Sequence, residues 1–316
     1  MPRLRIFLIL ALGIPLFAQS SQPGRVVDDA GSGAVDHVRI LVQDIGKSRR
    51  EYHDLLGFDL AGAEPVVLPE GSSHDAMFLA NRSYLELLGV ARREELLKAR
   101  AWIVGFLDHQ QGAHSVGLAV SSAEGLAERL RSRGVDAPVS TLASKDPARP
   151  FVHVTPKLPN LPEGAIFFTQ YPPRKAPAPE EHHANSAERI LTVWIVVKNV
   201  HKASQDARLL GFRPVRSIRS KVLGATGEEF ATESGSILLL QAKGSGLVSA
   251  FAQQRSMGVM GVTLAVKDLT TARTFVEKQT NRNFSTYRGL YGSSFLIPAD
   301  LASGVWIEMT QEPIGH

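Results

Sequence analysis

Apolar and polar residues alternate along residues 36–42, and this period of two predicts a strand with His37 and Arg39 on its polar face. The spacing then changes, and residues 47–56 predict a short helix that ends at Gly57. Three further strands are predicted near residues 65–68, 75–80 and 83–89. One strand, one helix and three strands therefore form a first structural unit.

A second unit begins with a predicted strand at residues 114–120. The capping-box pattern of Ser121 and Glu124 predicts the start of its helix, and Gly134 predicts the end. Strands are predicted afterwards near residues 151–155 and 164–171. A helix over residues 92–108, with apolar residues along one side, is predicted to join the two units.

The same order of blocks occurs twice along the chain. Residues 36–60, 83–89 and 115–130 correspond to residues 191–215, 236–242 and 261–276. A repeat of this length indicates one folding pattern used twice, and each half contains two units. Residues 172–189 are rich in Pro, Ala and charge, which predicts a linker. The predicted domains are therefore residues 35–171 and 190–312.

Residues 1–20 have the pattern of a secretory signal peptide. Arg3 and Arg5 precede an apolar run from Ile6 to Ala18, and small residues follow it. The pattern predicts a secreted or periplasmic protein, with an uncleaved N-terminal anchor as the alternative. Cleavage would remove two arginines and no acid, so the net charge of +4 would fall to +2.

Composition excludes several classes of function. The chain has no cysteine, so disulfides, thiolate metal sites and a cysteine nucleophile are excluded. Its basic residues are interspersed with acids, which argues against nucleic acid as a partner. No apolar run after the N-terminal segment is long enough to span a membrane. The sequence contains no nucleophile-elbow, zincin, dinucleotide-binding or P-loop motif.

Several short motifs carry a resemblance to a known superfamily. They are Asp36-His37, the Leu-Leu-Gly-Phe run at 55–58, the Gly-Ser-Ser-His-Asp run at 71–75, the Ser-Tyr-Leu-Glu-Leu-Leu-Gly run at 83–89 and residues 183–187. Together with four repeated units, they resemble the vicinal oxygen chelate superfamily, which includes glyoxalase I, extradiol dioxygenases and bleomycin-resistance proteins. The resemblance covers about residues 35–312. It implies an α+β fold of tandem domains, with four βαβββ modules forming open mixed β-sheet barrels.

The resemblance also implies a metal site in the first half. By position it assigns His37, Glu86 and His114 as ligands of a divalent cation, with Zn²⁺, Ni²⁺, Fe²⁺ and Mn²⁺ left open. Four further residues are candidates for metal or substrate contact: Gln170, Arg39, His74 and His153. No catalytic acid or base is assigned.

The second half lacks this ligand set. Thr192, Leu239 and Met260 fall at the positions of His37, Glu86 and His114, and only Glu308 keeps an acid on the last strand. One acid does not make a metal site. The second half is therefore predicted to be a degenerate copy with a structural role.

Three functions remain open on these grounds. The first is an exported, metal-dependent lyase, isomerase or dioxygenase that acts on a small oxygen-rich molecule. The second is a metal-free protein that binds or sequesters a small molecule, as bleomycin-resistance proteins do. The third is a structural or interaction module outside the cytoplasm. Substrate and oligomeric state, including a homo-oligomer, are left open, because domains of this superfamily pair both within and between chains.

Overall fold

The computed structural model describes residues 33–142, 151–172 and 182–312. The predicted signal peptide at residues 1–20 lies outside these ranges. No helix within them is both long and apolar enough to cross a membrane.

The first half forms one eight-stranded mixed sheet. Its strands are β1 (Ala34–Leu41), β2 (Val66–Val67), β3 (Ser72–Phe78), β4 (Tyr84–Val90), β5 (Gly112–Ala119), β6 (Val139–Leu142), β7 (Phe151–Val154) and β8 (Ile166–Gln170). Its helices are α1 (Ile45–Arg50), α2 (Arg93–His109) and α3 (Ala123–Ser132). The strand order is β2-β3-β4-β1-β5-β8-β7-β6, so the first strands of the two units lie side by side at the centre.

The second half repeats this arrangement. Its strands are β9 (Ala187–Val196), β10 (Arg213–Ser220), β11 (Ala225–Ala231), β12 (Ser236–Ala242), β13 (Gly258–Val266), β14 (Tyr287–Arg288), β15 (Ser293–Ile297) and β16 (Trp306–Gln311). Its helices are α4 (Val200–Leu209), α5 (Leu247–Arg255) and α6 (Leu269–Thr280). The order β10-β11-β12-β9-β13-β16-β15-β14 matches the first sheet strand for strand. The predicted α+β fold with tandem halves of two units each is confirmed.

A polar residue caps the helix that follows the first strand of every unit. The side chains of Asp44, Ser122, Asn199 and Asp268 each accept a hydrogen bond from the backbone N–H three residues later. Each cap satisfies one of the N–H groups that a helix start leaves unpaired. The repeated junction explains why the blocks of sequence align so well. It also corrects the predicted capping box, because Ser122 rather than Ser121 is the cap.

The structure also differs from the predicted elements elsewhere. The first helix changes to a π-helical turn at Glu51–Leu55, and strand β6 was not predicted. Strand β9 begins at Ala187, within the stretch predicted as linker. Just before it, Asn185 is fully buried and its amide donates to the Leu56 carbonyl at 2.7 Å. The end of the predicted linker is therefore packed against the first half.

The two halves share one hydrophobic core. Apolar residues of α3, α4 and α6 belong to the same buried cluster as the residues of both sheets that face these helices. Val38 and Ile40 belong to it, so the opposite face of β1 carries His37 and Arg39. We call that opposite face of the first sheet the polar face. Helix α2 covers one end of it, because Leu41 and Leu88 cluster with α2 residues.

Candidate active site

The register of the strands aligns the polar face. In the parallel pair of β1 and β4, His37 lies beside Tyr84 and Arg39 lies beside Glu86. On the other side of β1, His37 lies opposite Gly117 of β5. A methyl group on Gly117 would lie 2.8 Å from His37 Nδ1, so the absence of a side chain there makes room for the imidazole ring.

Glu86 is the hub of this face. Its Oε2 accepts a hydrogen bond from Arg39 Nε at 2.9 Å, and its Oε1 lies 2.9 Å from His74 Nδ1. His37 Nε2 is 3.8 Å from Oε2; the two histidines and Glu86 are buried, and Arg39 is 12% exposed. Burial alone would raise the pKa of Glu86, but Arg39 and then His74 outweigh it and hold the pKa well below its usual value. Glu86 is therefore an anion at neutral pH.

The orientation of His37 is fixed from its other nitrogen. His37 Nδ1 bonds to Asp36 Oδ2 at 2.7 Å, and the Tyr171 hydroxyl donates to the same oxygen. The imidazole stacks on Tyr84, with ring centroids 4.6 Å apart, and the edge of Phe167 closes its other side. With Nδ1 donating to Asp36, a neutral His37 presents the lone pair of Nε2 toward the Glu86 carboxylate.

One more basic group, His153, lies close to this centre, and it shares an aromatic neighbour with Arg39. The Arg39 guanidinium lies 4.6 Å from the centroid of the Phe167 ring. The ring of His153 lies 5.2 Å from the same ring, and burial followed by Arg39 lowers the pKa of His153 to about 3. His153 is therefore a neutral imidazole at physiological pH, able to accept or donate one hydrogen bond.

His114 and Gln170 are not part of this cluster. The His114 ring packs against Trp102 and Phe106 of α2 and lines a cleft toward the second half. Gln170 Oε1 accepts a hydrogen bond from the Ala123 backbone N–H at 2.8 Å, at the start of α3. The structure thus brings together His37, Glu86, Arg39, His74 and His153, and it places the other two predicted residues elsewhere.

The structure allows a test of whether these donors suit a divalent cation. His37 Nε2 and Glu86 Oε2 are 3.8 Å apart, which two ligands of one metal with bonds of about 2.0–2.2 Å can span. The Asp36–His37 hydrogen bond is the outer-sphere contact that metal-binding histidines commonly make. Within the described ranges, however, no group of three or more His, Asp or Glu side chains is placed to hold a metal ion. His37 and Glu86 therefore fit as two protein ligands of one cation, and His114 does not supply a third.

Sequence reasoning missed several residues of this face. Tyr84 and Phe167 share the strand parity of Glu86 and His37, so parity alone could have identified them. Asp36 could have been recognised from its position next to a histidine. Tyr171 follows the end of β8, and no signal in the sequence connects it to Asp36.

The corresponding face of the second sheet carries different chemistry. In the second sheet, Thr192 of β9 lies beside Ser236 of β12, and Trp194 lies beside Leu238. These two pairs correspond to His37 beside Tyr84 and Arg39 beside Glu86 in the first sheet. The residue at the position of Glu86 is therefore Leu238. The sequence alignment assigned Leu239, which lies one residue further and belongs to the shared core.

Glu308 lies in a cavity of about 250 Å³ on this second face. It accepts hydrogen bonds from the Tyr287 hydroxyl at 2.6 Å and the Thr263 hydroxyl at 2.8 Å. Burial raises its pKa, and no Lys, Arg or His among the described residues forms an ion pair with it. Glu308 lies beside Thr263 in the second sheet, and Phe167 lies beside Gly117 at the matching place in the first sheet. Phe167 is therefore the residue of the first sheet that occupies the position of Glu308.

Comparisons with known proteins agree with this architecture. A family model described as a glyoxalase-like domain matches residues 35–211. No curated protein sequence matches the chain.

Solved structures share the fold at low sequence identity. A mutant of 4-hydroxymandelate synthase from Streptomyces coelicolor has a TM-score of 0.63 at 10% identity, and the match covers 90% of this chain and 94% of that chain. The halotolerant catechol dioxygenase BphC has a TM-score of 0.58 at 10% identity, covering 89% and 87%. A hypothetical protein from Staphylococcus aureus has a TM-score of 0.56 at 13% identity, covering 88% and 99%. At these identities the likeness shows the fold alone.

Proposed function

We propose that this chain, which belongs to the glyoxalase-like domain family of the vicinal oxygen chelate superfamily, is a metal-dependent enzyme with its active site on the polar face of the first sheet. Its substrate is a small molecule with two neighbouring oxygens, and the reaction is of the lyase, isomerase or dioxygenase type. His37 and Glu86 hold the divalent cation, and Zn²⁺, Ni²⁺, Fe²⁺ and Mn²⁺ all accept imidazole and carboxylate ligands.

One observation carries the proposal. His37 Nε2 and the charged Oε2 of Glu86 face each other across 3.8 Å. Two electron-pair donors repel at this distance unless a cation or a proton lies between them. The hydrogen bond from His37 Nδ1 to Asp36 favours a ring whose Nε2 is free to bind that cation.

The remaining side chains have roles that follow from their positions. A bound cation supplies Lewis acidity toward substrate oxygens. Arg39 uses Nε for Glu86, and its other N–H groups are available to hold an anionic substrate oxygen. His153 is a neutral imidazole because of its low pKa, so its role is to form a hydrogen bond with substrate rather than to take a proton from it. Tyr84 and Phe167 exclude water from the His37 ring.

The test is metal content after loading with Zn²⁺, Ni²⁺, Fe²⁺ or Mn²⁺ and removal of excess ion. Wild type should retain about one ion per chain, and His37→Ala and Glu86→Gln should lose it. His114→Ala is the matched histidine control and should retain the ion. Arg39→Met should retain it more tightly, because it removes the competing cation from Glu86. Wild type without stoichiometric metal, or equal retention in His37→Ala, contradicts the proposal.

A second function is favoured by a different contact. Arg39 already neutralises Glu86 at 2.9 Å, which is the arrangement expected of a metal-free site that binds a small molecule. In that case small dicarbonyls or catechols should raise the melting temperature of protein stripped with EDTA as much as that of metal-loaded protein. A response that requires the metal favours the enzyme, and a response independent of it favours the binding protein.

We also propose that residues 1–20 direct export, with the second half supporting the first. The N-terminal charge and apolar run support this proposal. Fractionation of cells that express the chain with and without residues 1–20 tests it. Retention of the complete chain in the cytoplasm contradicts it.

A further inference from the structure

A cleft of about 280 Å³ lies between the two halves, apart from the polar face. Phe106, His114 and Pro162 line it from the first half, and Arg255, Met257 and Val259 line it from the second. Its walls are largely apolar. A ligand in this cleft would touch both halves at once.

Arg255 is a cation in this cleft without a matching anion. It ends α5 and donates through a terminal nitrogen to the Gln111 carbonyl of the first half. Its guanidinium lies 5.7 Å from the centroid of Phe106 and 5.3 Å from that of Phe251. Its Nε is buried without a hydrogen-bond partner, and no carboxylate among the described residues forms an ion pair with Arg255. The Arg255 side chain is half-buried beside the open cleft, and an anionic ligand there would supply the counter-ion that the described residues lack.

His114 supplies a second polar group with a free position. It lies where the pairing of β1 and β5 shifts register, and its ring packs 4.6 Å from Trp102 and 5.3 Å from Phe106. Its Nδ1 is buried without a hydrogen-bond partner. Burial, followed by Arg39 and Arg255, lowers the pKa of His114 to about 4, so the ring is neutral at pH 7. A neutral imidazole adds a hydrogen bond without adding charge.

The backbone on the second-half side of the cleft is also unusual. Ser256 has a φ of 65° and a ψ of −63°, and the Met257 N–H donates to the Arg255 carbonyl across it at 2.8 Å. This tight turn is rare for a residue with a side chain, and such strain is found more often at binding sites than elsewhere. It holds Arg255 at the end of its helix while the chain turns into β13.

We propose that this inter-domain cleft binds a small monocarboxylate with an apolar body. Arg255 holds the carboxylate with its free N–H groups, and His114 donates or accepts one further hydrogen bond. The apolar body packs on Phe106, Pro162 and Val259. Arg255 is the one cationic residue of the lining, and the one acid, Glu163, lies at the exposed rim. One guanidinium can balance one negative charge, so the lining matches a monocarboxylate better than a phosphate dianion.

Benzoate is the probe, and isothermal titration calorimetry on EDTA-stripped protein is the measurement. Stripping makes the result independent of the metal site proposed for the first sheet. Wild type should bind benzoate with a Kd in the millimolar range or below, and Arg255→Met should weaken binding about tenfold or more. Arg213→Met is the matched control, because Arg213 is exposed on the edge strand β10 and does not line the cleft, and this variant should bind like wild type. Benzamide, which keeps the ring and lacks the charge, should bind at least about tenfold more weakly than benzoate.

Further outcomes decide the proposal. Inorganic phosphate that binds more tightly than benzoate overturns the assignment of a carboxylate. Equal binding by wild type and Arg255→Met, or no binding up to about 10 mM benzoate, overturns the site. If Arg255→Met does not fold, Arg255→Lys replaces it, since it keeps the charge and loses the planar fork, and it should bind several-fold more weakly. In wild type, benzoate should shift the Arg255 Nε–H resonance, and an unchanged resonance rejects the site even if neither variant folds.

Discussion

Replacing Arg39 by Met should leave Glu86 as a buried anion without its main counter-ion. The Arg39 and Glu86 side chains are 12% and 8% exposed, so water compensates little for the loss. Two unit charges 2.9 Å apart attract by about 6 kcal/mol at an effective dielectric constant of about 20. His74 still donates to Glu86, so part of the stabilisation remains. We expect the free energy of unfolding to fall by about 3 kcal/mol, the lower end of the range for broken buried pairs.

The loss of stability in Arg39→Met should also depend on pH in a defined direction. The pKa of Glu86 is depressed in the folded state, so its stabilising contribution is present above the ordinary carboxyl value and is lost as the pH falls toward the folded value. Arg39→Met raises that pKa. The difference in stability between wild type and Arg39→Met should therefore be largest near pH 7 and should shrink below about pH 4.5.

Guanidinium unfolding followed by circular dichroism measures these differences. Adding Glu86→Gln to Arg39→Met should recover most of the lost stability, because the buried carboxylate that lost its guanidinium partner is then replaced by a neutral amide. Arg93→Met is the matched control: its exposed pair with Asp108 should contribute far less. A loss below about 1 kcal/mol for Arg39→Met, or a double variant no more stable than it, would refute the reasoning.

Three other predictions follow from single contacts. Glu308→Gln should show the opposite pH trend, because burial raises the pKa of Glu308. As the pH rises above about 4.5, wild type should lose stability relative to the variant. An equal difference in unfolding free energy at pH 4 and pH 7 would contradict this. Gly117→Ala should push the His37 ring from Asp36 and reduce metal retention, whereas Gly105→Ala, in open space on α2, should stabilise by about 0.4–1 kcal/mol. Asn185→Ala should cost about 1–3 kcal/mol in urea unfolding, because the buried Leu56 carbonyl and Ala187 N–H lose their partner; a smaller loss would mean that water replaces the amide.

The pattern of sequence was sufficient for the fold because each unit repeats the same local signals. Alternation placed Val38 on the core face, and the capping pattern after β5 placed the start of α3 within one residue. The first helix begins at Ile45, two residues before its predicted start. The one-residue error at Leu239 has a simple cause. Aligning Ser83 with Ser236 preserves sequence likeness, but the strand pairing shifts by one position between the halves.

The residues of the site are predictable from sequence only where alternation along a strand fixes the face on which a side chain lies. His37, Arg39 and Glu86 follow from alternation on two strands that the structure pairs in register. His114 does not, because the register shift between β1 and β5 changes the direction in which its side chain points. The resemblance places Gln170 where an acid is often found, but the pairing of Gly117 with Phe167 shows that Phe167 holds that position. Such shifts are set by tertiary pairing, which a single sequence does not encode legibly.

The shared core has a consequence for how the second half tolerates change. Its helix-facing residues also form part of the core of the first half, and Tyr52 of the first half donates directly to the Ala302 carbonyl of the second. A substitution on that buried side disturbs the packing of both halves. A substitution on the opposite face of the second sheet disturbs only the cavity on that face. We therefore expect substitutions on the helix-facing side of the second sheet to destabilise the whole chain more than substitutions on its opposite face.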